Sequence, residues 1–172
     1  MMPVKEVEEY ESDKVVPFKQ AIGIISKLKS SNKKVGMCHG GFDLLHAGHI
    51  KHFESAKKVC DVLFVSITSD KFVEKRKGSG RPIFNENLRA YMIASLECVD
   101  YVMISDFNLG VEAIRVLKPS YYIKGIDYEN KKDNEIDAER EAISSVNGSI
   151  KYTKEPKMST TEIIQYIKDN VK

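Results

Sequence analysis

The sequence predicts an α/β protein built on a doubly wound parallel sheet, and three observations point there. β-rich runs alternate with helical patterns along the chain, which is the order a parallel sheet requires. Val62-Leu63-Phe64-Val65-Ser66-Ile67 is almost continuously apolar and β-favouring, as in a strand buried on both faces. A Gly-Gly turn and a histidine pair follow directly on the first β-run. Doubly wound sheets hold their ligands at that end of their strands.

Each element has its own signal. Met1–Val16 is acidic and mixed, with Glu6, Glu8, Glu9, Glu11 and Asp13, so residues 1–17 read as an N-terminal arm and 18–172 as one domain. Phe18, Ala21, Ile22, Ile25 and Leu28 form one helical stripe that the polar Ser30–Lys34 ends. Val35–Cys38 is a strand, Ile50–Val59 a helix and Val62–Ile67 the second strand. A short basic segment from Lys71 then breaks at Gly78-Ser79-Gly80-Arg81-Pro82. Asn85–Glu97 is a helix, Tyr101–Ile104 a strand, and Val111–Leu117 a helix stopped by Pro119. Tyr121–Ile123 is a strand running into Gly125, and Ile136–Val146 a helix closed by Asn147-Gly148. A strand at Ile150–Thr153 and a helix opened by Ser159-Thr160-Thr161 complete the set, giving about five strands.

Composition narrows the function classes. A formal net charge of +2, from 27 basic and 25 acidic residues, offers no polybasic surface for nucleic acid or membrane. Cys38, Cys60 and Cys98 are odd in number and share no C-x-x-C spacing, so they read as buried thiols in a reducing compartment. With no apolar leader and no long apolar run, the expected location is the cytoplasm.

All four histidines fall in one stretch: His39, His46, His49 and His52. A strand, a glycine turn and a helix start are the parts of a phosphate site, because the helix N-terminus presents unpaired N–H groups to an anion. Two imidazoles in its first turn add donors for developing negative charge. Zinc ligation is the rival reading. A closed zinc site needs four ligands, and the cysteines lack ligand spacing, so no protein-held metal is expected. His52, one turn beyond His49, reads as solvent-facing.

Gly40-Gly41-Phe42-Asp43-Leu44-Leu45-His46-Ala47-Gly48-His49 closely resembles the G-x-F-D-x-x-H-x-G-H signature of the nucleotidyltransferase superfamily, which includes cytidylyltransferases and heptose-phosphate adenylyltransferases. Three further segments resemble the family in register: Ser69-Asp70 through Lys75–Pro82 to Arg89, Lys124-Gly125-Ile126-Asp127-Tyr128, and Lys154 through Met158-Ser159-Thr160-Thr161. The resemblance covers roughly residues 33–167 and implies a Rossmann-like five-stranded sheet. It implies transfer of AMP or CMP from ATP or CTP to a sugar or polyol phosphate, with pyrophosphate released and Mg²⁺ arriving with the nucleotide. It also implies a homodimer.

Carried onto this chain, the resemblance makes His46, His49 and Lys77 catalytic. It places Gly40, Gly41, Phe42, Gly48, Arg89, Gly125, Asp127, Lys154, Met158, Ser159 and Thr160 on the nucleotide, and His39, Asp43 and Lys75 on the acceptor. Two segments keep a second reading. Lys75–Lys77 is either a phosphate-closing loop or a solvated charge run. Ser159 with Glu162 is a capping box, whose helix start can still bind phosphate.

The Lys77–Pro82 run, the Leu96–Val102 segment and the K-G-x-D-Y turn favour the heptose-type branch over glycerol-phosphate cytidylyltransferases. The chain departs from the heptose-type pattern at His39 and from both branches at Asp106–Gly110, which is where the acceptor pocket would lie. A nucleotide-binding domain without turnover is the non-enzymatic alternative.

Overall fold

Alternation along the chain becomes five parallel strands in a computed structural model that describes residues 10–155 and 158–171. They are β1 (Val35–Gly40), β2 (Val62–Thr68), β3 (Tyr101–Ser105), β4 (Tyr121–Gly125) and β5 (Ser149–Thr153). Their order is β3-β2-β1-β4-β5, and every neighbouring pair is parallel. The chain therefore winds outward from β1 to β3, crosses back to β4 and winds outward again. The strand order reverses between β1 and β4, and the crevice at their C-terminal ends is the ligand position of such a sheet.

The helices are α1 (Phe18–Ser30), α2 (Ala47–Lys57), α3 (Asp70–Lys77), α4 (Glu86–Ala94), α5 (Gly110–Leu117), α6 (Asn134–Ser145) and α7 (Thr160–Asn170). Successive strand residues face opposite ways, so two cores form. Val35, Met37, Phe64, Met103 and Tyr122 pack with Ile25 of α1, Ile114 of α5 and Ile143 of α6. Cys38, Leu63, Val65, Ile67, Val102 and Ile123 pack with Phe53 of α2 and Ile93 of α4. Each core strand is buried on both sides, as the apolar run at residues 62–67 requires.

Two features differ from the sequence reading. The basic segment after β2 is helical: Asp70 sits in the first turn of α3, and Lys75, Arg76 and Lys77 in its last. Those charges suit the two ends of the helix dipole, and α3 ends where Gly78 takes φ +90°. Gly80 is also left-handed at φ +83°, a conformation only glycine adopts freely. The second difference lies at α7. Ser159 makes no side-chain capping bond, so the expected capping box does not form.

Of the arm, Met1–Glu9 lies outside the described residues, Glu6, Glu8 and Glu9 among it. The rest lies along the edge strand: the Val16 amide donates to the Val102 carbonyl (2.9 Å), and the Val102 amide to the Lys14 carbonyl (2.8 Å). Pairing of this kind covers an otherwise open sheet edge. The cysteines are free, with Cys38 buried and Cys60 and Cys98 partly buried. No helix among the described residues is long and apolar enough to cross a membrane.

Candidate active site

A cleft of about 540 Å³ opens at the C-terminal ends of β1 and β4. On the α2 side the glycine-histidine loop builds its wall. The left-handed residue of that turn is Phe42 (φ +47°), not a glycine, and its ring packs edge-on against His49 and Phe53 at 5.3 and 5.1 Å. Burial of that ring offsets the cost of a non-glycine residue at positive φ.

His46 is the N-cap of α2: its Nδ1 accepts from the His49 amide (3.3 Å). A ring that accepts through Nδ1 carries its proton on Nε2 when neutral, leaving that N–H as a donor. The His46 and His49 rings stack with centroids 3.7 Å apart and planes within 15°. Burial lowers the pKa of both, and that of His49 falls to about 3, with the neighbouring His46, His52 and Lys77 charges adding to the effect. Both rings are therefore neutral donors at physiological pH. His49 Nδ1 is buried with no hydrogen-bond partner among the described residues.

Gly48 lets α7 approach this pair. A Cβ there would meet Met158 Cβ at 2.9 Å and the His46 ring at 3.1 Å. Thr160 Oγ1 donates to the Leu44 carbonyl (3.2 Å), tying the start of α7 to the histidine loop. Two helix N-termini thus meet at one cleft, a ready anion site.

From the other side, α3 presents Val73, Arg76 and Lys77, which share one face at i, i+3, i+4. Lys77 is exposed along its length, but its Nζ turns in to donate to the Asp43 carbonyl (3.1 Å). Desolvation first, then the nearby Arg81 charge, lowers its pKa to about 8.

The cytidylyltransferase-like family model matches residues 37–166, most of the chain and all of this cleft. The chain belongs to the cytidylyltransferase-like family. By that membership it is a nucleotidyltransferase. It is 37% identical over 97% of its length to the bifunctional protein HldE of Aliarcobacter butzleri, and 43% identical over 62% of its length to HldE of Geobacter metallireducens. It covers 35% and 22% of those proteins, so the chain spans about a third or less of the curated relatives it matches. Among solved structures, the lipopolysaccharide core biosynthesis protein of Thermoplasma volcanium superposes with a TM-score of 0.58 at 28% identity, covering 74% of this chain and 99% of that one. The pantoate-β-alanine ligase of Francisella tularensis (TM-score 0.57, 16% identity, 86% of this chain and 69% of that one) shares the fold.

Within this cytidylyltransferase-like cleft the expected residues divide. His39, Gly40, Gly41, Phe42, His46, Gly48, His49, Lys77, Gly125, Asp127, Met158, Ser159 and Thr160 line it. Asp43, Arg89, Lys75 and Lys154 do not. Asp43 is 1% exposed and spends its carboxylate on Arg81 Nε (2.7 Å) and the Ile83 and Phe84 amides (2.9 and 3.2 Å). It clasps the α3–α4 connection to the histidine loop rather than meeting a substrate. Arg89 is wholly buried, donating to the Gly41 and Phe84 carbonyls and pairing with Asp70 (2.6 Å), so it braces the glycine turn from beneath. Lys75 falls off the Val73–Arg76–Lys77 face once the segment is helical, and Lys154 is exposed outside the cleft.

His52 also departs from its expected solvent-facing position. It lines the cleft, Nδ1 lies 2.7 Å from Thr153 Oγ1, and burial lowers its pKa to about 4. Its place three residues after His49, on the same helical face, was the signal available. Lys124, Glu139, Arg76 and Lys131 also line the cleft.

Proposed function

We propose that this cleft transfers a nucleoside monophosphate, AMP first and CMP second, from the triphosphate to the phosphate of a sugar or polyol phosphate. An acceptor phosphate oxygen attacks the α-phosphorus, the bond from that phosphorus to the bridging oxygen breaks, and pyrophosphate leaves with the electron pair. The attacking oxygen is already anionic, so no general base is needed, and catalysis rests on positioning and charge stabilisation.

The observation that carries this reading is the stacked, neutral His46–His49 pair at the N-terminus of α2, with the uncapped start of α7 tied beside it. In this reading His46 and His49 donate to phosphate oxygens, the α7 amides hold the triphosphate tail, and Lys77 follows the charge as pyrophosphate forms. The preference for adenine rests on the HldE relatives and on the heptose-type motifs. Mg²⁺ enters as part of the nucleotide substrate. Among the described residues no group of three or more His, Cys, Asp or Glu is placed to hold a metal.

A pyrophosphate-release screen of each nucleoside triphosphate against heptose 1-phosphate, glycerol 3-phosphate and phosphocholine tests the reading. ATP with the heptose phosphate is expected to be the fastest pair. CTP with glycerol 3-phosphate as the best pair would move the chain to the cytidylyl branch. Nucleotide binding without release for any pair would leave a non-catalytic domain. Chelation should abolish release and added Mg²⁺ restore it; release that survives EDTA would remove the ion from the substrate.

A further inference from the structure

The α6 side of the cleft contains a built charge site that the histidine motif does not explain. Glu139 is 4% exposed, and both of its oxygens are engaged. Oε1 accepts from the Tyr122 hydroxyl (2.7 Å) and the Gly110 amide (3.3 Å), and Oε2 meets Lys124 Nζ at 2.7 Å. Gly110 is there because a Cβ would collide with the Tyr122 hydroxyl and Glu139. Three elements, the start of α5, β4 and α6, therefore converge to fix one ammonium. A carboxylate so deeply buried carries a large desolvation cost, so a pair placed at a cleft wall needs a reason.

Strand alternation decides which substrate this ammonium meets. Met37 and Tyr122 point into the α1–α5–α6 core, while Cys38 and Ile123 point into the α2–α4 core. The next residue on each strand, His39 and Lys124, returns to the α5–α6 side. His46 and His49 belong to α2, on the opposite side. The strand ends thus divide the cleft into an α2–α7 half, with two helix N-termini for the triphosphate, and an α5–α6 half around Lys124. His39 in that second half is held by Ser66 (3.0 Å) and Thr68 (3.4 Å), and burial lowers its pKa to about 4, so it adds no charge. Lys124 sits 4.1 Å from the Tyr128 ring centroid and 12% of its side chain is open. An ammonium has three donors, and Glu139 takes one.

We propose that Lys124 binds the anionic group of the acceptor, with Glu139, fixed by Tyr122 and Gly110, as the residue that positions its ammonium. This rests on the nucleotidyl-transfer reading for the word acceptor, but not for the site itself. The assignment also fits the sequence, because Gly110 ends the segment where the chain departs from both resembled branches. Lys124 itself belongs to the K-G-x-D-Y turn shared with the heptose-type branch, so the pocket joins a matched motif to an unmatched segment.

Calorimetric titration with inorganic phosphate, on protein saturated with a non-hydrolysable ATP analogue, tests the site without needing turnover. Lys124→Met leaves Glu139 unpaired, so the double variant Lys124→Met/Glu139→Gln, which removes both charges, guards against misfolding. Loss of one charge-assisted hydrogen bond is expected to weaken phosphate binding about tenfold to a hundredfold in both, with the analogue's Kd within twofold of the parent. Lys124→Arg should recover part of the affinity. Glu139→Gln alone should weaken phosphate without moving the analogue, a split that a purely structural role would not give. Unchanged phosphate affinity in the double variant, or a loss confined to the nucleotide, overturns the proposal. Where an acceptor supports pyrophosphate release, its KM should rise by the same factor and the nucleotide KM should not. Failure of every acceptor would refute the transfer reading while leaving the phosphate titration to decide this one.

Discussion

At the residue scale the proposed role of the two motif histidines is that of neutral donors, whose effect should appear in the barrier rather than in the fold. Transition-state donors of this kind contribute about 2.7–4 kcal/mol. His46→Ala and His49→Ala should each lower kcat by about two to three orders of magnitude, and near-parental turnover in either folded variant would sink the role. Lys77 gives a pH signature. Its pKa of about 8 means that the free enzyme loses this cation as pH rises through 8, so kcat/KM should fall there. Lys77→Arg, which stays protonated, should move that descending limb upward; an unmoved limb would assign it to another group. Lys71→Ala, which removes an exposed pair with Asp106 and a contact with the Phe72 ring outside the cleft, should leave turnover nearly unchanged. The histidines were legible in sequence because a glycine turn and the start of a helix frame them. Asp43 and Arg89 were not. A motif shows that a carboxylate or guanidinium sits at a position, but only packing shows whether it faces substrate or, like these two, carbonyls and amides underneath.

At the scale of elements the strands and most helices were legible because their apolar periods are long and unambiguous. Helix α3 was not, because its eight residues include six charges and only two apolar side chains, which leaves little period to read. Once it is helical, the charge run is neither a loop nor wholly solvated, since one face turns Arg76 and Lys77 to the cleft and the other leaves Lys75 outside. The start of α7 yields a contrast between two caps. Asn85 accepts from the Leu88 amide (2.9 Å) at the start of α4, whereas Ser159 caps nothing at the start of α7. Asn85→Ala should therefore cost about 1 kcal/mol of stability. Ser159→Ala should leave the melting temperature nearly unchanged and weaken triphosphate binding. A stability loss at Ser159 equal to that at Asn85 would mean that the residue caps the helix in solution.

At the scale of the molecule, the doubly wound class and a site past the first strand could be inferred from the sequence, although alternation alone leaves the strand order open. The pairing of Lys124 with Glu139 could not, because it joins a strand end to a helix 15 residues on, with a partner on β4 and a glycine on α5. One consequence concerns the whole fold. His39, His49 and His52 all gather in the cleft with pKa values lowered to about 4, 3 and 4, chiefly by burial, from an ordinary value of 6.5. Between those limits the unfolded chain binds more protons than the folded one, so folded stability is complete above about pH 6.5 and is lost as pH falls towards 4. Each histidine can contribute at most about 1.4 kcal/mol per pH unit in that window. Unperturbed carboxylates titrate below most of it, so a decline between pH 6.5 and 5 belongs to the histidines. Thermal melts should show the melting temperature falling steadily over that range, and His52→Gln, which removes one titrating group outside the proposed chemistry, should make the slope shallower. A melting temperature flat from pH 7 to 5 would mean that these rings accept protons in the folded state and are not the neutral donors the cleft is built to hold.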